Sequence, residues 1–218
     1  MKFFFILTTL AASICAFAPL GEIESSKDAT SQSIVHFQLT VNQQHLELNK
    51  PYAMAGKSDS ITISRFRFYI SDLQFLQKGK AVDSLKKRHI LIDAEEPGSL
   101  MIPFETEADF DAITFNVGVD SVINMAGAMG GDLDPTKGMY WTWQSGYINF
   151  KLEGNSPACP TRKNAFQYHI GGYSFPHNAL QHVMLPIAKE KDLLIHVSID
   201  AFMQHIDLNK THSVMSPS

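Results

Sequence analysis

Nine histidines, nine methionines, two tryptophans and two cysteines are the side chains of this 218-residue chain that can hold a soft metal ion or be oxidised. Imidazole is the commonest protein ligand for copper and zinc, and thioether sulfur adds affinity for Cu(I). No histidine falls in an H-E-x-x-H helix and no cysteines form a C-x-x-C pair, so spacing alone defines no metal site. His36, His89, His169 and His196 lie in strand-like segments or at their ends, whereas His177, His182, His205 and His212 lie in or near connections. His36 occupies the more polar face of IVHFQLTV, where it meets either a ligand or only water. His169, in FQYHIGGY, precedes two glycines that allow close approach of a ligand or mark a bulge. A strand histidine is more often structural than ligating, which is the bland alternative for both.

A second concentration of chemistry is GMYWTWQSGYINFKLEG, residues 138–154. In an extended strand Met139, Trp141 and Trp143 share one face, and Tyr140 and Thr142 share the other. Two indoles on one face are either a large core plug or the wall of a site. Met125, Met129 and Met139 cluster around the preceding loop, as soft ligands or as packing. Hydrolytic chemistry has little support: there is no G-x-S-x-G elbow, and the serines of WQSGY and YISDL have no base partner in sequence. Asp120, Asp132 and Asp134 lack the ligand spacing of a calcium loop.

The elements that must position these residues read as strands. IVHFQLTV, SITISRFRFYISDLQFL, RHILIDA, AITFNVGV, YWTWQSGYINFKLEG, AFQYHIGGY, HVMLPIA and LLIHVSIDAFM are rich in β-branched and aromatic residues and bounded by Gly, Pro, Asn and Asp. HLELN reads as a further short strand after an Asn42-Gln43-Gln44 turn. A short helix is expected at 122–127. The pattern predicts an all-β fold, a single antiparallel β-sandwich-like domain with long loops, the loop of residues 120–138 being either an ordered cover over the tryptophan segment or part of a site.

The ends and totals narrow the class. Residues 1–18 have the charged start, apolar run and small-residue finish of a cleaved signal peptide, too short for a permanent membrane anchor. Lipid attachment at Cys15 is the alternative to soluble export. Residues 19–33 read as a linker and 34–218 as the domain. With 18 basic and 22 acidic residues and no basic run beyond Lys86-Lys87-Arg88, there is no electrostatic footprint for nucleic acid. Cys159, in SPACPT, reads as an exposed loop thiol with no disulfide partner.

The ordered set FRFYISDLQF, LIDA, ITFNVGVDSVINMAGAMGGDLDPTKGMYWTWQSGYINFKLEG and FQYHIGGY resembles the MbnP-like family of periplasmic copper-binding proteins. The resemblance implies a β-sandwich-like exported domain that is not an enzyme and binds copper, as Cu(I) or Cu(II), through histidines. It implies His36 and His169 as metal ligands, with His45, His177, His182 and His196 as further candidates. Trp141 and Trp143, with Met139 and Tyr140, become pocket or modified residues, a tryptophan being oxidised by a partner dihaem enzyme of the MauG type. The alternative is a non-metal extracytoplasmic binding or interaction module that uses the aromatic strand and the 120–138 loop.

Overall fold

A computed structural model describes residues 33–54, 60–143, 146–187 and 192–216. The expected signal peptide, the Cys15 lipidation position and almost all of the linker lie outside the described residues. In chain order the elements are β1 (Ser33–Val41), β2 (Gln44–His45), β3 (Pro51–Ala53), β4 (Ser60–Gln77), β5 (Lys80–Ser84), β6 (His89–Asp93), β7 (Met101–Phe104), β8 (Ala112–Val117) and α1 (Ser121–Ala126). They continue with β9 (Tyr140–Trp141), β10 (Gly146–Asn155), β11 (Ala165–Gly171), β12 (Tyr173–Ser174), β13 (His177–Asn178), β14 (Gln181–Pro186), β15 (Leu193–Ser198), α2 (Ile199–Met203) and β16 (Ser213–Ser216). No helix among them is long and apolar enough to cross a membrane.

The strands form the expected sandwich. In the larger sheet the order is β14-β8-β4-β10-β11-β16, with β3, β5 and β6 also paired to β4 and β9 to β10. In the smaller one β15, β2 and β7 pair with β1. Most pairs are antiparallel, but β1 runs parallel to β15 and β11 parallel to β16. The core lies between the two sheets. Phe37 of β1 meets Phe68 of β4 and Phe115 of β8 edge-on, with ring centroids 6.0 Å apart in both cases. Alternation along β1 buries Val35, Phe37, Leu39 and Val41 and turns His36 and Gln38 outward.

Three local expectations change. Of HLELN only His45 is in a strand, paired with Thr40, while Gln44 of the expected turn joins it in β2; at Asn49 a left-handed φ of 64° turns the chain. LLIHVSIDAFM is a strand only to Ser198, whose side chain then caps α2 by accepting from the Ala201 N–H at 3.2 Å. Cys159 is not exposed: it is 1 % accessible and packs into the main core, where burial pushes its thiol pKa up.

The outer face of the larger sheet carries a second, smaller core under residues 119–141. Tyr69, Leu91, Val119, Leu133, Met139, Trp141, Tyr147 and Ile148 pack there. The covering segment opens with α1, near the expected 122–127, and Asp120 caps it by accepting from the Val122 and Ile123 N–H groups. Asn124 then fastens α1 to the sheet. It is 2 % exposed, donates to the Val119 and Asp120 carbonyls at 2.9 Å, and accepts from the Tyr147 N–H at 2.8 Å. Asn124→Ala strands a buried N–H and a buried carbonyl together, so it should lower the stability by about 2–3 kcal/mol, measured as a shift in the urea midpoint with an unchanged m-value.

Candidate functional site

Register places a row of ionisable groups across the outer face of the larger sheet. Asp93 on β6 pairs with Arg67 on β4, Arg67 with Lys151 on β10, and Lys151 with His169 on β11. Beyond His169 the next strand contributes Met215, directly opposite it in the parallel β11–β16 pair. One pleat further along, Glu153 pairs with Arg65 and with Gln167. All these side chains share a face because each alternates with a core residue such as Phe66, Phe68, Leu152, Phe166 or Tyr168.

The groups are tied together by charge. His169 Nε2 lies 2.7 Å from Glu153 Oε1, and Arg65 Nη1 lies 3.3 Å from the other Glu153 oxygen. The hydrogen bond from His169, helped by the Arg65 charge against the cost of burial, holds the Glu153 carboxyl below the usual glutamate range. Lys151 is 7 % exposed, and burial lowers its pKa. Its ammonium donates to the Gly138 carbonyl. Arg67 donates to the Lys137 carbonyl at 2.8 Å, pairs with Glu95, and sets Nε 2.8 Å from Asp93 Oδ2 in an ion-pair contact whose angle is outside that of a hydrogen bond.

Phenols continue what the cations begin. The Tyr69 hydroxyl donates to the Asp132 carbonyl at 3.0 Å. Tyr147 donates to the Leu133 carbonyl at 3.0 Å and accepts from the Met129 N–H at 2.9 Å. Every one of these contacts lands on the backbone of the 127–138 segment, so that stretch is an ordered cover.

The tryptophan segment is not one strand. β9 ends at Trp141, Thr142 and Trp143 form a turn, and the chain resumes as β10 at Gly146. The shared face expected for Met139, Trp141 and Trp143 is therefore replaced by a buried pair and an exposed indole. Met139 is fully buried in the smaller core, Trp141 is 5 % exposed, and Trp143 is 68 % exposed. The two indoles still touch, with centroids 5.7 Å apart and planes at 46°. Tyr140 packs edge-on against Tyr147 at 4.9 Å.

Trp141 reaches the ionisable row through Gly171. A methyl on Gly171 would lie 2.7 Å from Trp141 Cζ3 and 2.5 Å from the Tyr147 carbonyl oxygen, so only glycine lets the indole lie on β11 there. Gly171 follows His169 by two residues on the same strand, so the position the Trp141 ring covers and His169 share a face of β11. The Trp141 indole Nε1 is buried without a hydrogen-bond partner among the described residues. The structure thus sets Trp141 against the strand that carries His169, with Trp143 in contact with Trp141.

It does not bring His36 there. His36 faces out from the smaller sheet, paired across from Met101 and Leu194, and the core lies between it and His169. His45 is exposed on β2 and His177 on the β12–β13 hairpin. His182 is bonded to Thr114 Oγ1 at 2.9 Å and Asn116 Oδ1 at 3.2 Å, and His89 to Asp120 at 3.0 Å. Among the described residues no group of three or more His, Cys, Asp or Glu side chains is placed to hold a metal ion. The three loop carboxylates have structural partners: Asp120 and Asp134 cap, and Asp132 pairs with Lys87 and Lys137. Reading the sequence alone misses Glu153, Lys151, Arg67 and Met215, because their partnership is a matter of cross-strand register.

Two outcomes test this arrangement. Gly171→Ala should cost about 1–3 kcal/mol and shift tryptophan fluorescence to longer wavelength as Trp141 is pushed out. A lowered carboxyl pKa adds stability above the unfolded-state value that is lost as pH falls through the folded value. Glu153→Gln should therefore lower the thermal midpoint at neutral pH and flatten its decline in acid, seen by calorimetry across that range.

A further cleft of about 1000 Å³ opens nearby, lined by Arg67, Asp93, Lys86, Lys87, Asp132 and Lys137 among others. Much of its charge is already spent in the ion pairs above. No functionally curated protein matches the chain. Among solved structures, MbnP from Methylosinus trichosporium is similar in fold, with a TM-score of 0.58 at 15% identity over 86% of this chain and 81% of that one. The MbnP family model matches residues 30–216, which takes in both sheets, the tryptophan turn and the His169 strand. The chain belongs to the MbnP family.

Proposed function

We propose that this protein is exported and binds copper as Cu(I), sequestering or delivering it, with His169 as the principal ligand beside the tryptophan pair. The observation that carries the reading is the Glu153–His169 contact of 2.7 Å at Nε2, which leaves Nδ1 without a hydrogen bond among the described residues. A carboxylate behind an imidazole fixes the ring and raises its basicity, the usual support for a ligating histidine. Met215, 41 % exposed and directly opposite His169, supplies a thioether on the same face. One imidazole and one thioether, near an indole and with no second histidine beside them among the described residues, suit a soft ion of low coordination number. Copper is also what the resemblance drawn from the W-T-W and YHIGG segments implies.

A periplasmic location and a MauG-type dihaem partner belong to the same reading. Trp143, 68 % exposed and in contact with buried Trp141, is the indole such a partner would meet first. A second reading, an interaction module without metal, draws on exposed Val122, Met125, Trp143 and Phe175, of which Phe175 is 97 % accessible.

Cu(I) titration of the mature protein against a competing chelator tests the first reading. His169→Ala should weaken binding at this site at least tenfold, and Glu153→Gln about tenfold through loss of ring orientation. Unchanged affinity in His169→Ala overturns it and leaves the exposed apolar residues as the lead.

A further inference from the structure

β14 ends the larger sheet and pairs with no strand but β8 among the described residues. The ladder between the two fixes which backbone groups of β14 are left over. The Ile187 N–H donates to the Asp111 carbonyl at 3.0 Å, and in an antiparallel pair such bonds recur at every second residue. Leu185, Val183 and Gln181 therefore turn their N–H and carbonyl groups toward β8, where the Thr114 hydroxyl also donates to the Val183 carbonyl at 2.9 Å. His182 and Met184 turn theirs the other way, off the sheet.

Elsewhere the molecule blocks its edges. On β6 the outward Leu91 N–H is taken by the Asp132 carboxylate at 3.1 Å, and Ser99 Oγ accepts from the Asp93 N–H at 2.8 Å and donates to the Asp93 carbonyl at 3.0 Å. β5 carries Lys80 and Asp83, and β7 carries Pro103, residues that keep sheet edges from pairing. β14, with the sequence QHVMLP, and β8 beside it, AITFNV, hold no Asp, Glu, Lys or Arg. Only Pro186, the last residue of β14, limits it. Met184 is 58 % exposed, and Val183 and Leu185 are only partly buried against the main core, so apolar surface accompanies the unpaired backbone.

We propose that β14 is a self-association edge, occupied by β14 of a second copy of this chain running antiparallel about a two-fold axis at Val183. In that register His182 of each copy stands opposite Met184 of the other, and every outward N–H and carbonyl of both residues is paired, making four hydrogen bonds. Val183 meets Val183 of the other copy in the non-hydrogen-bonded position, with Cα atoms about 4.5 Å apart. The two half-buried valines then cover each other, and no like charges are brought face to face. An axis at Met184 instead sets the His182 carbonyl against the proline ring of Pro186, which has no N–H to give. Main-chain bonds of this kind supply affinity, and the neutral, self-complementary edge supplies the choice of partner. β11 and β16 take no part, so the surface stands whether or not His169 binds metal.

Sedimentation of the full mature chain over a range of concentrations tests it. The chain should dimerise, and Met184→Pro, which removes two of the four bonds, should weaken self-association at least tenfold. The lost N–H points away from β8, so the circular dichroism of this variant should match the parent. Val183→Cys should be joined into a covalent dimer by diamide, whereas Leu185→Cys, whose equivalent lies four residues out of register, should not. Hydrogen exchange should show the His182 and Met184 amides protected in proportion to the dimer present. The proposal is overturned if the chain stays monomeric at every concentration, if a folded Met184→Pro dimerises as the parent does, or if Val183→Cys fails to cross-link. Should Met184→Pro lose the parent spectrum, the two cysteine variants decide. Protection of those two amides in a monomer also overturns it, because a segment of the same chain then occupies the edge.

Discussion

The structure depends on one accounting requirement: the carbonyl groups of the segment laid over the outer face of the larger sheet have no strand to pair with. Residues 127–138 make short turns, and their oxygens would be buried without donors. The sheet beneath supplies those donors from side chains, with Tyr69 reaching Asp132, Tyr147 reaching Leu133, Arg67 reaching Lys137 and Lys151 reaching Gly138. This explains charged residues at near-buried positions of β4 and β10, where an all-apolar face would give a better core and an unsatisfied cover. It also explains why a buried lysine is tolerable despite its depressed pKa, since a carbonyl dipole stands in for a counter-ion.

The same requirement sets the tryptophans in place. Once Gly138 is pinned to Lys151, the chain leaving it must run back along β10, and β9 delivers Trp141 onto the only part of β11 that lacks a Cβ. His169 is backed by a carboxylate two residues from the glycine that the indole covers, while the turn at Thr142 carries Trp143 into solvent. Loop and indole are two consequences of a single anchoring pattern. A charged residue of the sheet therefore influences the site without touching it.

Much of the fold was legible because burial imposes a period of two. The alternation of β1, β4 and β11, and the helix after Asp120, were read from residue type alone. What escaped was whatever depends on partners distant in sequence. The W-T-W stretch carries strand-like residues, yet the need to reverse direction before Gly146 makes a turn of Thr142 and Trp143. β16 is four residues long, too short for a pattern, and is specified by its parallel pairing with β11. His169 could be named from its neighbours in sequence, but its link to Glu153 is a diagonal across β10 and β11, set by a register in which Lys151 faces His169 and Glu153 faces Gln167. His36 looked equivalent to His169 in the sequence, because a strand pattern says which residues face out and not which sheet they belong to.

Cys159 has a bearing on how long the molecule survives under oxidising conditions. The thiol sits at 1 % exposure, held by a turn in which its N–H donates to the Ser156 carbonyl at 2.9 Å. While folded, the chain keeps the Cys159 thiol from oxidants and from other molecules, since thiolate chemistry needs both access and ionisation. A chain that opens exposes the Cys159 thiol, and an oxidant can then join two such chains through a disulfide before either recloses. Lifetime in an oxidising compartment is then governed by how often the sandwich opens, so that core packing acts as a kinetic guard against irreversible cross-linking.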